Sequence, residues 1–142
     1  MKFSFFVLLL FTGCDRRPIH VKPTPSAIVG LWQVTSREEP VIMRVSFAAD
    51  GTFHQEILTP LGVTLHTTDG TWEVDNEYVV LRSPLQFVEN RWQPVLCSWT
   101  LVDDKSRPGS QVLFGGVFPD PDVYETFSRT STAPATASTT RP

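Results

Sequence analysis

Two histidines and one glutamate in the middle of the chain are the side chains whose types and spacing best suit chemistry. His54 and Glu56 lie two positions apart on one predicted strand, and His66 lies on the next. On the predicted hairpin Glu56 faces His66, with His54 diagonal to both, all on the outer face. Such a group could bind zinc or copper. The alternative is the solvated polar face of a half-buried sheet, which we favour because the three residues match no metal-binding motif. We therefore predict no metal and no cofactor.

The placement of these three residues depends on the turn at residues 60–62, which reads Pro-Leu-Gly. A three-residue turn pairs Thr59 with Val63 and Ile57 with Leu65, so that the apolar residues of both strands share one face. A two-residue turn would divide them between the faces. The glycine also suits the left-handed position that a three-residue turn requires. We therefore expect the three-residue turn.

Other combinations of residues give no indication of catalysis. The sequence contains no Gly-x-Ser-x-Gly segment, no phosphate-binding loop and no Cys-x-x-Cys pair. Its 12 Lys and Arg and 15 Asp and Glu give a net charge of −3, which provides no basic surface for phosphates. We expect a protein that is not an enzyme and does not bind nucleic acid.

The first 14 residues resemble the export signal of a bacterial lipoprotein. Lys2 precedes an apolar run at residues 3–11, which is shorter than the roughly 20 residues that a membrane-spanning helix needs. The run ends in Phe-Thr-Gly-Cys, similar to a lipobox, in which small residues precede a cysteine that is acylated with palmitate and related chains. The resemblance implies that residues 1–13 are a lipoprotein signal peptide and that acylated Cys14 anchors the mature chain durably in a membrane.

Residues 14–27 are expected to form the lipidated cysteine and a proline-rich tether. The 13 residues after Cys14 can span roughly 40 Å when fully extended. The resemblance to lipoproteins implies a location in the bacterial cell envelope, on the periplasmic face of a membrane. In enteric bacteria an aspartate directly after the acylated cysteine, here Asp15, marks retention in the inner membrane. Where that rule does not apply, we expect the outer membrane.

A short phrase, Gly-x-Trp-x-Val, occurs twice, beginning at Gly30 and at Gly70. On a strand, Trp32 and Trp72 share a face with the valine two positions later, while the intervening residue points toward water. Each glycine is expected to turn the chain into its strand, and the second follows Asp in an apparent hairpin turn. We expect both glycines to begin strands and both tryptophans to anchor the core.

The remaining sequence predicts eight or nine short strands at regular spacing, separated by hairpin turns. This pattern is typical of an antiparallel barrel or sandwich. We predict an all-β fold, a small antiparallel up-and-down β-barrel over residues 28–129, with a β-sandwich as the alternative. Residues 130–142 carry no large apolar side chain and are expected to be a disordered tail rich in Thr, Ser, Ala and Pro.

Two motifs resemble those of small bacterial lipocalin-like, or calycin-like, domains: Gly30-x-Trp32 and a final strand that ends in Arg129. In lipocalins a tryptophan of the first strand packs at the closed barrel end under an arginine near the last strand, and Trp32 and Arg129 are the matching positions. The resemblance implies a barrel and, as in that family, a small apolar ligand.

Together these features predict a membrane-anchored, periplasm-facing lipoprotein that acts as an accessory or protein-interaction module without chemistry of its own. The alternative function is a carrier of a small apolar molecule in the barrel. The expected partners are the membrane, through Cys14, and either a protein or a small apolar ligand.

Overall fold

The computed structural model describes residues 20–36, 39–116 and 124–130, with only the backbone of Gly116 and Tyr124. Within these ranges the chain forms one short helix and nine strands. In chain order they are β1 (His20–Val21), α1 (Pro25–Ile28), β2 (Gly30–Thr35), β3 (Ile42–Phe47), β4 (Thr52–Leu58), β5 (Thr64–Asp75), β6 (Tyr78–Val88), β7 (Arg91–Asp103), β8 (Gln111–Gly116) and β9 (Tyr124–Arg129).

The eight described strands from β2 to β9 close into an antiparallel ring. Each pairs with the next along the chain, and β9 pairs with β2 to complete the ring. The predicted all-β, up-and-down barrel is therefore confirmed. The alternative of a sandwich is wrong, because one continuous sheet closes on itself and encloses the core.

The barrel has two ends, which we define by their turns. The lower end carries the turns at residues 48–51, 76–77 and 104–110, and the upper end carries those at 59–63 and 89–90. Strand β1 pairs with the last residues of β7, His20 with Val102 and Val21 with Leu101. Because β7 runs toward the lower end and β1 runs against it, the chain reaches the barrel at the lower end. It also leaves β9 there, after Arg129.

Residues 20–27, which the sequence assigns to the tether, contain β1 and most of α1. Val21 and Ala27 pack against the core, and Ile28 is fully buried. Pro25, one of the prolines that suggest an extended tether, occupies the first turn of α1, where its missing N–H costs nothing. The packed part of the chain therefore begins before residue 28.

Large side chains fill the inside of the barrel. Alternate residues of the strands point inward, and their rings contact one another across the lumen. The ring of Phe47 meets Trp72 edge-on with centroids 5.3 Å apart, and Trp99 stacks on Phe127 at 4.6 Å. Such pairs add about 0.5–1.5 kcal/mol beyond the area that they bury. The lower half of the lumen is therefore a packed aromatic core.

Gly70 does not begin a strand, and the predicted hairpin turn before it is wrong. β5 runs without interruption through Gly70, from Thr64 to Asp75. A Cβ atom at this position would lie 2.2 Å from the carbonyl oxygen of Arg82 and 2.6 Å from the ring of Phe53. The glycine is there because neighbouring atoms approach the backbone, a requirement that sequence reasoning mistook for a turn.

Candidate functional site

The turn that positions the predicted histidine and glutamate group has the expected form. The Thr59 N–H donates to the carbonyl oxygen of Val63 at 2.8 Å, and Gly62 has a φ of 83°. Beyond the turn the predicted register fails. A bulge between Ile57 and Leu58 shifts the pairing by one residue, so that Ile57 lies opposite His66 and not opposite Leu65.

The bulge occurs where two consecutive side chains, Ile57 and Leu58, are both buried. The extra residue is Leu65 of β5, which lies between Thr64, opposite Leu58, and His66, opposite Ile57. An extra residue of this kind shifts the pairing of every residue beyond it. The sequence prediction assumed an unbroken ladder and therefore placed Glu56 opposite the wrong residue. In the structure Glu56 faces Thr67.

The shift separates the three candidate metal ligands. His54 stays on the outer face, where it lies opposite Asp69. His66 lies opposite the inward-facing Ile57, and its ring is 6.4 Å from that of Trp92. Among the residues described, no cluster of three or more His, Cys, Asp and Glu side chains is suited to hold a metal ion.

His54 instead forms a pair that the sequence did not predict. Its Nδ1 atom lies 2.7 Å from Asp69 Oδ1, and Ser46 lies opposite His54 on the other neighbouring strand. These residues border a groove of about 380 Å³ on the outer face. The order serine, histidine, aspartate is that of acyl-transfer triads. However, no hydrogen bond joins Ser46 to His54 in the described structure, and Asp69 is 83% exposed, where water weakens electrostatic stabilisation.

Trp32 and Arg129 lie together at the lower end. They are paired across β2 and β9, and the Arg129 guanidinium carbon lies 5.0 Å from the centre of the Trp32 ring. Arg129 also donates to the Ala27 carbonyl oxygen. The indole N–H of Trp32 donates to the carbonyl oxygen of Ile28 at 2.7 Å. These contacts close the lower end by joining α1 to the first and last strands of the ring.

Trp72 is buried at the same end, and its indole N–H donates to the carbonyl oxygen of Ala48 at 3.1 Å. Gly30 begins β2 with a φ of 134°, a value that favours glycine. A cavity of about 320 Å³ lies beside Trp32 and Arg129, bordered by exposed polar residues of the 104–110 loop.

Above its middle, the barrel wall contains a seam between β5 and β6. Strand β5 pairs with β6 only from Thr71 to Asp75, although both strands continue upward. A second bulge lies in β6 between Arg82 and Leu85, where Ser83 has a φ of 72°. Residues 64–70 of β5 and 83–88 of β6 therefore border the seam, each held by the strand on its other side.

Gln55 bridges the seam from inside the barrel. It is 0% exposed, its Oε1 accepts from the Leu85 N–H at 2.7 Å, and its Nε2 donates to the Leu85 carbonyl oxygen at 3.2 Å. Nearby, Thr68 Oγ1 donates to the carbonyl oxygen of Ser83 at 3.2 Å. The amide group of Gln55 thus takes the place of a backbone partner that β5 does not supply.

An exposed apolar patch lies at the 59–63 turn of the upper end, and sequence analysis did not identify it. Leu61 is 93% exposed, Val63 60% and Leu65 47%. The rings of Phe87 and Trp92 lie on the hairpin across the seam, 5.3 Å apart. We call Leu61, Val63 and Leu65 the upper patch. A signal was available, because three large apolar residues alternate in and after a turn, where polar residues are usual.

Cys97 points into the barrel, opposite Leu81 and on the same face as Trp99. Burial raises the pKa of its thiol to about 12, and the nearby Trp99 indole N–H lowers it in part. Among the described side chains, the Trp99 Nε1 is the buried nitrogen without a hydrogen-bond partner. A thiol that stays protonated at neutral pH is a weak nucleophile, so Cys97 acts as a packing residue.

Cys14, the predicted lipid attachment site, and the predicted signal peptide lie outside the described residues, as does the predicted tail from residue 131. No helix in the described ranges has both the length and the apolar character needed to cross a bilayer.

The geometry defines a closed eight-strand antiparallel barrel, which is consistent with a lipocalin-like barrel. No protein-family model matches the sequence, and neither a curated protein nor a solved structure does.

Proposed function

We propose that this protein is a lipid-anchored lipoprotein whose lipocalin-like barrel serves as a protein-interaction module on the periplasmic side of a bacterial membrane. The upper patch is the observation that carries the proposal. Of the five exposed large apolar side chains in the described structure, three belong to it. Clustered apolar residues on a soluble domain commonly mark an interaction site.

The position of the patch supports a partner other than the membrane. The chain reaches the barrel at the lower end, where β1 begins at His20. From Cys14 to His20 the chain can extend about 20 Å at most. An acylated Cys14 would therefore hold the lower end near the bilayer and direct the upper patch away from it. Asp15 would place the anchor in the inner membrane if it acts as a retention signal, and otherwise the outer membrane is expected.

The packed lumen favours an interaction module over a carrier of a small apolar molecule. A carrier needs an interior cavity of a few hundred Å³ lined by apolar groups. Here the rings of Phe47, Trp72, Trp99 and Phe127 pack against one another in the lower half of the lumen, and the two cavities described above are bordered by exposed residues. The Trp32 and Arg129 contact supports lipocalin-like architecture without requiring that family's ligand. We also propose that the protein is not an enzyme.

The anchor is tested with the Cys14→Ala variant. We expect the parent protein to remain with membranes after a carbonate wash and the variant to be released, because acylation supplies the attachment. Mass spectrometry of the parent should find acyl chains on Cys14. If the variant pellets as the parent does, the lipoprotein assignment is wrong.

The interaction site is tested by placing a photo-crosslinking amino acid at Leu61 in living cells. The matched control is the same amino acid at Leu96, which is exposed and apolar but lies on the side of the barrel. We expect one defined crosslinked protein from position 61 and none from position 96. Equal crosslinking from the two positions would contradict a specific partner at the upper end, and lipid co-purifying with the parent would favour the carrier.

A further inference from the structure

The cavity at the lower end of the barrel has the charge and the size to hold a small anion. Its volume is about 320 Å³, at the small end of the roughly 300–1,000 Å³ that ligand pockets occupy. Arg107 borders it from the 104–110 loop and Arg129 from the end of β9, with Asp104 as the acidic residue on its border. Two arginines and one aspartate leave one net positive charge around the cavity.

Arg129 is held in position at the cavity by contacts with the folded chain. Its guanidinium carbon lies 5.0 Å from the centre of the Trp32 ring, and one of its nitrogens donates to the Ala27 carbonyl oxygen. A guanidinium group carries several N–H donors in a fixed fork. Since the Ala27 bond uses one of them, the others are available to a ligand.

The 104–110 loop holds the backbone on both sides of Arg107. The Asp104 N–H donates to the Ser110 carbonyl oxygen at 2.8 Å, and the Ser110 N–H donates to that of Arg107 at 2.9 Å. The carboxylate of Asp104 is engaged within the loop, where its Oδ1 accepts from the N–H and the hydroxyl of Ser106 at 2.9 and 2.6 Å. The Arg107 guanidinium makes no hydrogen bond to the part of the chain that the structure describes, so its donors are also available.

Positive charge at the lower end is concentrated on the side of this cavity. The end of β7, the 104–110 loop and the end of β9 carry three basic and two acidic residues, namely Asp103, Asp104, Lys105, Arg107 and Arg129. The strand order places the turns at 48–51 and 76–77 across the barrel. Around those turns the charged residues are acidic, namely Asp50, Asp75 and Glu77. An anion that approaches the lower end is therefore attracted to the cavity side.

We propose that this cavity binds the anionic phosphate of a membrane lipid headgroup. The fork of an arginine matches phosphate oxygens with two parallel hydrogen bonds, and the hydroxyl groups of Ser110 and Ser128 on the border can donate to the same group. The inference rests on the proposed function, because the short chain from acylated Cys14 to His20 holds the lower end near the bilayer, where headgroup phosphates are the abundant anions.

The charge of the cavity selects among lipids. A headgroup with a net negative charge, such as that of phosphatidylglycerol, is attracted, whereas the phosphate of phosphatidylcholine is neutralised by its own cation. Binding adds a second attachment beside the acyl chains of Cys14. Two attachments fix the orientation of the barrel on the membrane, with the upper patch directed away from it.

The test uses the full-length protein in an uncharged detergent, with equal amounts of phosphatidylglycerol and phosphatidylcholine added. Native mass spectrometry counts the lipids that remain bound to the folded protein. We expect about ten-fold more bound phosphatidylglycerol than phosphatidylcholine, as charge-assisted hydrogen bonds to two arginines allow. Inorganic phosphate at the same concentration as the lipid should not displace it, because the micelle concentrates the lipid at the anchored end.

The variant Arg107→Gln removes one cation from the cavity without removing a contact of the folded chain. It should lower the preference for phosphatidylglycerol by about ten-fold, the loss expected of a hydrogen bond to a charged group. The matched control is Arg91→Gln, which removes the same charge from an exposed position at the upper end and should bind lipid as the parent does. Melting temperatures of both variants verify that each is folded.

Several outcomes would overturn the proposal. Equal binding of the two lipids, or an equal loss in Arg107→Gln and Arg91→Gln, would show that no headgroup site exists at the lower end. Displacement by an equal concentration of inorganic phosphate would identify free phosphate as the ligand. Lipid that Arg107→Gln retains in full would be held elsewhere, as in a carrier.

The headgroup site and the anchor are read separately in the same spectra, because the mass of the protein shows whether Cys14 is acylated. An acylated protein without a preference for phosphatidylglycerol would refute the headgroup site and leave the proposed interaction module intact. A protein without acyl chains that still prefers phosphatidylglycerol, and loses that preference in Arg107→Gln, would refute the anchor and support the cavity site.

Discussion

Replacing Gln55 by Leu should destabilise the barrel, although the site is fully buried and leucine is apolar. The change leaves the N–H and carbonyl oxygen of Leu85 without their partners at the seam. Each unsatisfied buried group costs about 1–3 kcal/mol, and burying the leucine methyl groups offsets about 1–2 kcal/mol. We expect a net loss of about 1–4 kcal/mol, a large part of the roughly 5–15 kcal/mol of a typical domain.

Gln55→Glu makes the same interaction depend on pH. A protonated carboxyl group can accept from the Leu85 N–H and donate to its carbonyl oxygen, as the amide does. A carboxylate cannot donate, and burial disfavours its charge, so the folded-state pKa should lie above the unfolded value of about 4.3. The variant should thus resemble the parent below about pH 4 and lose stability as pH rises toward the raised pKa, by about 1.4 kcal/mol per pH unit.

Urea denaturation followed by tryptophan fluorescence measures these effects at pH 4 and pH 8. Each variant is compared with the parent at the same pH, so that the titration of the other groups cancels. The reasoning is refuted if Gln55→Leu unfolds within about 0.5 kcal/mol of the parent, a difference typical of surface substitutions. It is also refuted if Gln55→Glu loses the same free energy at both pH values.

Four other substitutions test the core and the lower end. Gly115→Ala should lower the free energy of unfolding by about 1–3 kcal/mol, as overpacking does, because the new Cβ atom would lie 2.2 Å from the Trp99 ring. Urea denaturation measures the change, and an unchanged denaturation midpoint would contradict this packing. Burial raises the pKa of the Cys97 thiol to about 12, from about 9 in the unfolded chain. The native state therefore loses stability as the pH rises from 9 to 12, because the unfolded thiol ionises first. Cys97→Ala should flatten this fall in stability. Native Cys97 should also react with iodoacetamide much more slowly than the unfolded chain at pH 8. Trp32→Ala should cost about 3–5 kcal/mol and lower the melting temperature. Arg129→Ala should cost less, since an exposed cation over an aromatic ring contributes only about 0.5–1 kcal/mol.

The sequence predicted the barrel because alternation and turn residues are local signals. The turn at residues 59–63 formed as expected, with Gly62 in the left-handed region. What sequence reasoning missed depends on contacts between distant segments. The one-residue shift arises where Ile57 and Leu58 are both buried, and a bulge leaves no signature in residue type.

The seam and the tether show the same limit. Gln55 looks like an ordinary polar residue in an alternating strand, yet it is buried because its partner, Leu85, lies on a strand two places away. Gly70 follows an aspartate, as glycines in turns often do. The position requires glycine, however, because the carbonyl oxygen of Arg82 on the neighbouring strand leaves no room for a Cβ atom. Pro25 suggests an extended chain until the packing of Ile28 shows that a helix starts there. In each case tertiary contacts decide between conformations that the local sequence allows equally.

The contact between β2 and β9 has a consequence for how the barrel assembles. Seven of the eight pairings in the described ring join strands that follow one another, whereas Trp32 and Arg129 lie about a hundred residues apart. Sequential hairpins can form with small losses of chain entropy, but joining the first strand to the last requires most of the chain to be ordered. This ring closure should come after the rate-limiting barrier. Weakening it should therefore accelerate unfolding and leave the refolding rate nearly unchanged.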